Sequence, residues 1–256
     1  MYQKNKDKYI IDLFCGCGGF AEGFERSGYQ SYLSADFDYW ACETFKSRFK
    51  KSKVINEDIT SDKFKAILKK QTKGVKIDGV VAGLPCQSFS SVGRAQDKFS
   101  MAKDKRNYFY KDFFECIKII KPNFFVFENV RGILSAKPNG VKIFDNILEL
   151  SKKLGYVTLD DTSKMVFDTS EYGVPQVRKR IFVIGVKKKY SNLIPKIYDD
   201  LINIHKDKKK FTVKDAISDL PPLKPGEGVE KIRVLKKNKN DYLKKITNSK
   251  FIYNHV

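Results

Sequence analysis

Ile77-Asp78-Gly79-Val80-Val81-Ala82-Gly83-Leu84-Pro85-Cys86-Gln87-Ser88-Phe89-Ser90 is the stretch that decides the fold. Its first half is an apolar run bounded by Gly and Pro, the pattern of a strand buried on both faces in a parallel sheet. Its second half is a polar loop that continues through Ser91-Val92-Gly93-Arg94. A cysteine just past the C-terminal end of such a strand sits where open α/β sheets place their ligands. Free cysteines are usually buried small hydrophobes. Cys86 lies between Pro and Gln at the mouth of a Ser/Gly-rich loop, a poor place for a core residue and a good one for a nucleophile.

Strand and helix patterns alternate on both sides of this stretch. Strands are expected at Tyr9–Phe14, Ser31–Ala35, Val54-Ile55, Ile77–Ala82, Phe124–Phe127, Tyr156–Leu159 and Arg180–Val186. Helices are expected at Phe20–Gly28, Tyr39–Phe49, Asp62–Lys70, Asn107–Lys121 and Lys142–Leu154. Alternation of this kind predicts an α/β fold with a doubly wound parallel sheet. The unusual residues fall just after predicted strands: Cys15-Gly16-Cys17-Gly18-Gly19, Asp36, Asp58, Pro85-Cys86 and Glu128-Asn129. In such a sheet those ends line one crevice.

The chain has 256 residues, room for one large domain or a domain and a fragment. No apolar stretch approaches the roughly 18–20 residues that span a membrane, and the polar N-terminus lacks a signal-peptide pattern. Five cysteines and two histidines form neither a disulfide scaffold nor a metal site. The expectation is a reduced, cytoplasmic protein that binds no metal. The formal charge of +20 points to a polyanionic partner. Residues 187–256 carry 18 Lys/Arg against 8 Asp/Glu, so basic density rises toward the C-terminus. The division expected is a catalytic and cofactor-binding domain over 1–190 and a basic extension over 191–256.

Asp12-Leu13-Phe14-Cys15-Gly16-Cys17-Gly18-Gly19-Phe20 reads as strand, glycine loop and helix. Glycines there let backbone approach a ligand closely, and the loop lacks the Lys-Ser/Thr of a nucleoside-triphosphate site. Asp36, about 20 residues on, suits a ribose diol or a helix N-cap. Asp58 suits a helix cap or an adenine amino group. Glu128 ends a run of three Phe and a Val, where desolvation favours the protonated acid and a proton can be donated to a ring nitrogen. Gln176-Val177-Arg178-Lys179-Arg180 puts two guanidinia on one face if extended, fit for phosphate or a base oxygen.

Taken together, these segments resemble the DNA cytosine-5 methyltransferase family. The resemblance runs through Asp12 to Phe20, Asp36-Phe37-Asp38, Asp58-Ile59, Gly83 to Ser90, Glu128-Asn129-Val130 and Tyr172 to Arg180, in the family's order. Thr212 to Pro221 also resembles the segment after the catalytic domain in bacterial members. The resemblance implies a Rossmann-like, class I S-adenosylmethionine-dependent methyltransferase sheet. It implies S-adenosyl-L-methionine as cofactor, held by Phe14, Gly16, Gly18, Asp36, Phe37, Asp58, Ile59 and Pro85. Cys86 would add to C6 of a flipped cytosine. Glu128 would hold N3 and the exocyclic amine, and Arg178 and Arg180 the base and its backbone. Gln87, Ser90 and Arg94 would contact double-stranded DNA, under a loop from Ser88 to Asp104.

Family members continue past a segment like Tyr253-Asn254-His255-Val256 into a target-recognition domain and a last Gly-Asn-(Ala/Ser)-Val helix. The resemblance therefore implies that the target-recognition domain is absent from this chain. It is similar to the large, catalytic subunit of a split enzyme, with a second subunit supplying recognition and the last motif, or to a C-terminally truncated member. The rival readings are an inactive remnant or DNA-binding partner, and a cytosine-5 methyltransferase acting on RNA. Heavy use of Lys, Asn and Ile fits an AT-rich bacterial genome, and the resemblance implies bacterial DNA methylation of the restriction–modification kind.

Overall fold

A computed structural model describes residues 8–85, 104–204, 209–224, 226–229, 231–233, 240–246 and 251–253. The chain divides into two compact units, one formed by residues 1–166 and 180–201, the other by 167–179 and 202–256.

The first unit is built on a sheet of order β3-β2-β1-β4-β5-β8-β6. Its strands are β1 (Tyr9–Leu13), β2 (Gln30–Asp36), β3 (Lys53–Asn56), β4 (Gly79–Gly83), β5 (Phe124–Val130), β6 (Tyr156–Val157) and β8 (Lys179–Lys187); β7 (Val166–Asp168) lies off this path. The helices between them are α1 (Gly19–Arg26), α2 (Tyr39–Arg48), α3 (Asp62–Thr72), α4 (Phe109–Ile120) and α5 (Ile143–Lys153). From β3 to β5 every pairing is parallel. The chain winds outward from β1 to β3, then returns to β1's other side at β4. That reversal places a ligand crevice outside the C-terminal ends of β1 and β4.

The sheet is mixed, where the sequence predicts an all-parallel one. β8 runs antiparallel to β5, from Phe124 opposite Val186 to Val130 opposite Arg180, and antiparallel to β6. A parallel strand needs a crossover of a dozen or more residues, usually through a helix. The path from β6 to β8 offers only short 3-10 turns at Thr162–Met165 and Thr169–Tyr172. β8 therefore enters the gap between β5 and β6 from the opposite direction. Pairing with β8 also lengthens β5, so Glu128 and Asn129 lie inside the strand rather than beyond it. Asp36 is likewise the last residue of β2.

Residue spacing explains how the helices cover the sheet. In α4, Tyr110, Phe113, Phe114 and Ile117 are buried, the i, i+3, i+4, i+7 stripe of an amphipathic helix. The helix stops at Lys121, left-handed at φ 52°, with Pro122 next. Phe113 and Phe114 meet Phe125 edge-on at ring distances of 5.7 and 5.5 Å, and Phe125 meets Tyr156 at 5.3 Å. Gly185, opposite Phe125 in β8, leaves room for that ring; a Cβ there would overlap it.

A helix with no counterpart among the predicted elements, α6 (Leu193–Asn203), follows β8 and buries Ile194 and Tyr198. The Tyr198 hydroxyl donates to the Phe182 carbonyl at 2.8 Å and accepts the Ile184 amide at 3.0 Å. It thereby satisfies two backbone groups on the β8 edge that β6, only two residues long, leaves uncovered.

The second unit contains the short helices α7 (Val213–Ile217) and α8 (Asp241–Ile246) and an antiparallel pair, β9 (Lys231–Arg233) with β10 (Phe251–Tyr253). A capping box between Thr212 and Asp215 starts α7. The Asn240 amide donates to the Asp215 carbonyl at 2.8 Å, which ties α8 to α7. Tyr198→Phe is expected to lower the first unit's stability by about 1–3 kcal/mol, because two buried backbone groups lose their partner while little packing is lost. Urea denaturation of the two forms checks this.

Candidate active site

The glycine loop opens at a strained residue. Phe14 leaves β1 at φ 55°, in the left-handed region that non-glycine residues rarely occupy, and its ring stacks on Phe109 at 5.6 Å. Gly16 and Gly18 follow at φ 50° and 90°. A Cβ at Gly18 would overlap Phe49 and stand 3.0 Å from Phe45, whereas a Cβ at Gly16 would meet nothing within 4 Å. Gly18 is thus fixed by packing behind the loop, and Gly16 faces open space. α1 starts immediately afterwards, with Gly18 as a cap that has no side chain to offer. Asp12 supplies what is missing: from inside β1, its Oδ2 accepts the Ala21 amide at 3.2 Å.

Asp36 stands at the adjoining strand end, nearly buried at 8% exposure. Its two oxygens accept the Gly16 amide at 2.9 Å and the Asp38 amide at 3.0 Å. It is not the N-cap of α2; Asp38 is, accepting the Ala41 amide at 2.7 Å. Phe37 is 72% exposed on the same rim. Asn56 donates to the Asp36 and Phe37 carbonyls and fixes that turn. Asp58 accepts both the amide and the hydroxyl of Thr60, at 2.9 and 2.8 Å, and Ser61 caps α3 instead. The capping role open to Asp36 and Asp58 from sequence is therefore filled by neighbours. Ile59 is buried beneath the turn.

On the other side of the switch point, β4 leads to Leu84 and Pro85. The Leu84 amide donates to the Glu128 carbonyl, and Asn129, buried, donates to the Leu84 carbonyl at 3.5 Å. These bonds hold the entrance to the Cys86 segment against β5. Cys86 itself, with Gln87, Ser90, Arg94 and the rest of 86–103, lies outside the described residues. Glu128 meets Arg180 across the β5–β8 pair, Nε to Oε1 at 2.7 Å, with both side chains about four-fifths buried. That cationic neighbour is one the run Phe124–Phe127 alone does not foretell. Arg178 falls in the second unit, where its carbonyl accepts the Thr169 amide at 3.1 Å.

Comparison with known proteins gives this crevice a family. Residues 9–255 match the C-5 cytosine-specific DNA methylase family. The chain belongs to that family. It is similar to the type II methyltransferase M.DdeI of Desulfomicrobium norvegicum, 38% identical over 96% of this chain and 57% of that protein. It is also similar to the type II methyltransferase M.AquIA of a Picosynechococcus species, 30% identical over 86% of this chain and 91% of that protein. A prophage-encoded E. coli protein, described as a DNA modification methyltransferase, superposes with a TM-score of 0.69 at 28% identity, covering 93% of this chain and 64% of the other. The chain thus spans little more than half the length of M.DdeI and nearly all of M.AquIA.

Within this methylase fold, one residue of the crevice is absent from the sequence-based site. Asp12 is 1% exposed, and its Oδ1 has no partner among the described residues. Burial pushes its carboxyl well above the usual range; the Ala21 amide opposes that shift and the charge of Asp36 adds to it. The available signal was a charged residue in the otherwise apolar run Ile10-Ile11-Asp12-Leu13. Cys15 is buried beside it, its thiol pushed far up by desolvation and then by Asp12 and Asp36; Cys17 is exposed on the loop.

Gly18→Ala should cost the fold about 1–3 kcal/mol, combining an unfavourable positive φ with overlap behind the loop, whereas Gly16→Ala should cost only the backbone share, about 1 kcal/mol. Denaturant midpoints of the two variants check the difference. The raised folded value of Asp12 also has a signed consequence. Its contribution to stability is fully present below the unfolded carboxyl range and is lost as pH rises through the folded value. Asp12→Asn is therefore expected to gain stability relative to the parent chain as pH rises from the ordinary carboxyl range toward the folded value, read as melting temperature against pH.

Proposed function

We propose that this chain is the catalytic part of an enzyme that transfers a methyl group from S-adenosylmethionine to C5 of cytosine in duplex DNA. The observation that carries the reading is the convergence of the family's glycine loop, Asp36, Phe37, Asp58, Pro85 and Glu128 on the strand ends around one switch point.

The residues on that rim suit the cofactor. Gly16 leaves open space where a side chain would intrude, Asp36 is held beside it by the loop's own amide, and the exposed Phe37 offers a ring face for adenine. Asp58 and Ile59 continue the rim, and Phe14, Gly18 and Pro85 shape its floor. S-adenosylmethionine, when bound, supplies an electrophilic methyl group. C5 of cytosine is too weak a nucleophile to take it unaided. Addition of the Cys86 thiolate to C6 makes C5 enamine-like. Glu128, oriented by Arg180, holds N3 and the exocyclic amine as charge develops there. Loss of the C5 proton and elimination then release Cys86. Arg178 and Arg180 hold the base and its backbone, with Gln87, Ser90 and Arg94 on the DNA side. The target atom is unreachable in a stacked duplex, so the base is flipped into the pocket.

The reading extends to a second polypeptide that carries a recognition domain and a helix. One observation supports it: the first unit carries an apolar groove of about 460 Å³ over β5 and β8, beside α1 and α6, lined by Phe24, Phe124, Val126, Ile184, Leu193 and Ile197. An apolar helix from the partner fits such a seat.

The test is transfer of labelled methyl from S-adenosylmethionine to mixed-sequence duplex DNA, by the chain alone and with the polypeptide encoded just downstream, with RNA as a parallel substrate. Transfer to DNA only in the mixture is expected. Robust site-specific transfer by the chain alone would remove the need for a partner, and transfer to RNA alone would overturn the substrate. Cys86→Ser should abolish transfer while leaving DNA binding intact, and Glu128→Gln should slow transfer by about 10²-fold or more. Loss of DNA binding in Cys86→Ser, or full activity in either variant, contradicts the assigned roles.

A further inference from the structure

Asp12 occupies an unusual position for a carboxyl group. It lies in the middle of a central strand, between Ser34 of β2 and Val81 of β4, with no exposure to speak of. One oxygen holds the first turn of α1 through Ala21, and the other is buried without a partner among the described residues. A carboxylate in such a place is strongly disfavoured unless it is paired or fully hydrogen-bonded. The charged and titratable groups facing it are Asp36 at the end of β2 and Cys15 on the glycine loop. Neither supplies positive charge. From α1 it receives one amide, and from β4 an apolar residue. Among the described residues no cation faces it, and the crevice beyond Gly16 is where a ligand would stand.

We propose that Asp12 holds a proton in the free chain and releases it to solvent when a cationic cofactor fills the crevice, so that cofactor binding and proton release are one linked event. The proposal rests on the assignment of S-adenosylmethionine to this crevice; that molecule carries an ammonium, a carboxylate and a sulfonium, and so a net positive charge. Bringing positive charge close to a desolvated acid favours its ionised form. The acid's O–H bond breaks, the proton passes to buffer, and the carboxylate left behind attracts the ligand while keeping its bond to Ala21. Burial pushes this carboxyl upward in the free chain, in the direction the linkage needs. Asp12 acts as a positioning residue: it fixes the start of α1, and with it the loop, in two protonation states.

The experiment is isothermal titration of the intact chain with S-adenosylmethionine, in phosphate and in Tris, together with an infrared difference spectrum of the same binding event. The expected result is a heat that depends on the buffer and corresponds to release of up to one proton, with affinity rising by up to about tenfold per pH unit below the folded value of Asp12. The infrared spectrum should lose a protonated-carboxyl band and gain carboxylate. Asp12→Asn keeps an oxygen for Ala21, so it should still bind while showing neither buffer dependence nor pH dependence. Binding by the wild-type chain with buffer-independent heat and no carboxyl change would overturn the proposal and leave the cofactor assignment standing. So would proton release that persists in Asp12→Asn. Absence of any binding by the wild-type chain would instead sink the cofactor assignment and this proposal with it. The infrared measurement uses only the wild-type chain and therefore decides the matter even if the variant does not fold.

Discussion

The carboxylate of Asp36 accepts the Gly16 amide on one oxygen and the Asp38 amide on the other, and the rim of the crevice depends on that bridge. Without it, the glycine loop would still meet β2 and α2 through the Cys15 amide on the Ala35 carbonyl and Arg48 on the Cys17 carbonyl, but the rim would lose the carboxylate that spans loop and turn. With it, three positive-φ residues on the first loop are held against a turn that Asn56 fixes from behind. The strain at Phe14 is sustained in the same way, by the Phe109 stack on one side and the Asp12–Ala21 bond on the other. Two acids on neighbouring strands thus have separate roles. Asp36 joins loop to loop on the rim, and Asp12 joins strand to helix beneath it.

The antiparallel course of β8 brings the other half of the site into place. A parallel sheet read straight from the alternation would leave Glu128 at a strand end facing solvent. Because β8 pairs with β5 as far as Val130, Glu128 lies inside a ladder, and Arg180 lies diagonally across from it on the same face. Tyr198 then closes the edge that β6 is too short to cover. The Glu128–Arg180 approach therefore follows from sheet topology, a long-range property.

This separates what could be read in the sequence from what could not. Strand 77–82, the glycine loop and the helices with apolar stripes carry local signals, since spacing and punctuation by Gly and Pro are properties of short windows. The family was legible in the segments from Asp12 to Arg180, because their residue types answer to chemistry. Strand direction at β8 was not legible: the run Ile181 to Val186 is equally apolar in either sense. Helix α6 was hidden by the basic composition around it, although Ile194 and Tyr198 are spaced as a buried stripe. Asp12 was visible as a letter but not as a problem, since only the packing around β1 shows that its second oxygen has nowhere to turn.

The charge distribution gives these details a common logic. The chain carries a net +20, suited to a polyanion, yet the rim of the crevice bears Asp36, Asp38 and Asp58 with Asp12 beneath. Negative potential gathered in a cleft draws in a cation and keeps phosphate out, while the basic surface elsewhere favours a nucleic acid. On the function proposed above, a methyl donor of net positive charge and a DNA backbone are thereby sorted to different surfaces. The acids on the rim each accept backbone amides. Asp12 lacks a second partner. It is the one acid of this group whose charge must wait for the ligand.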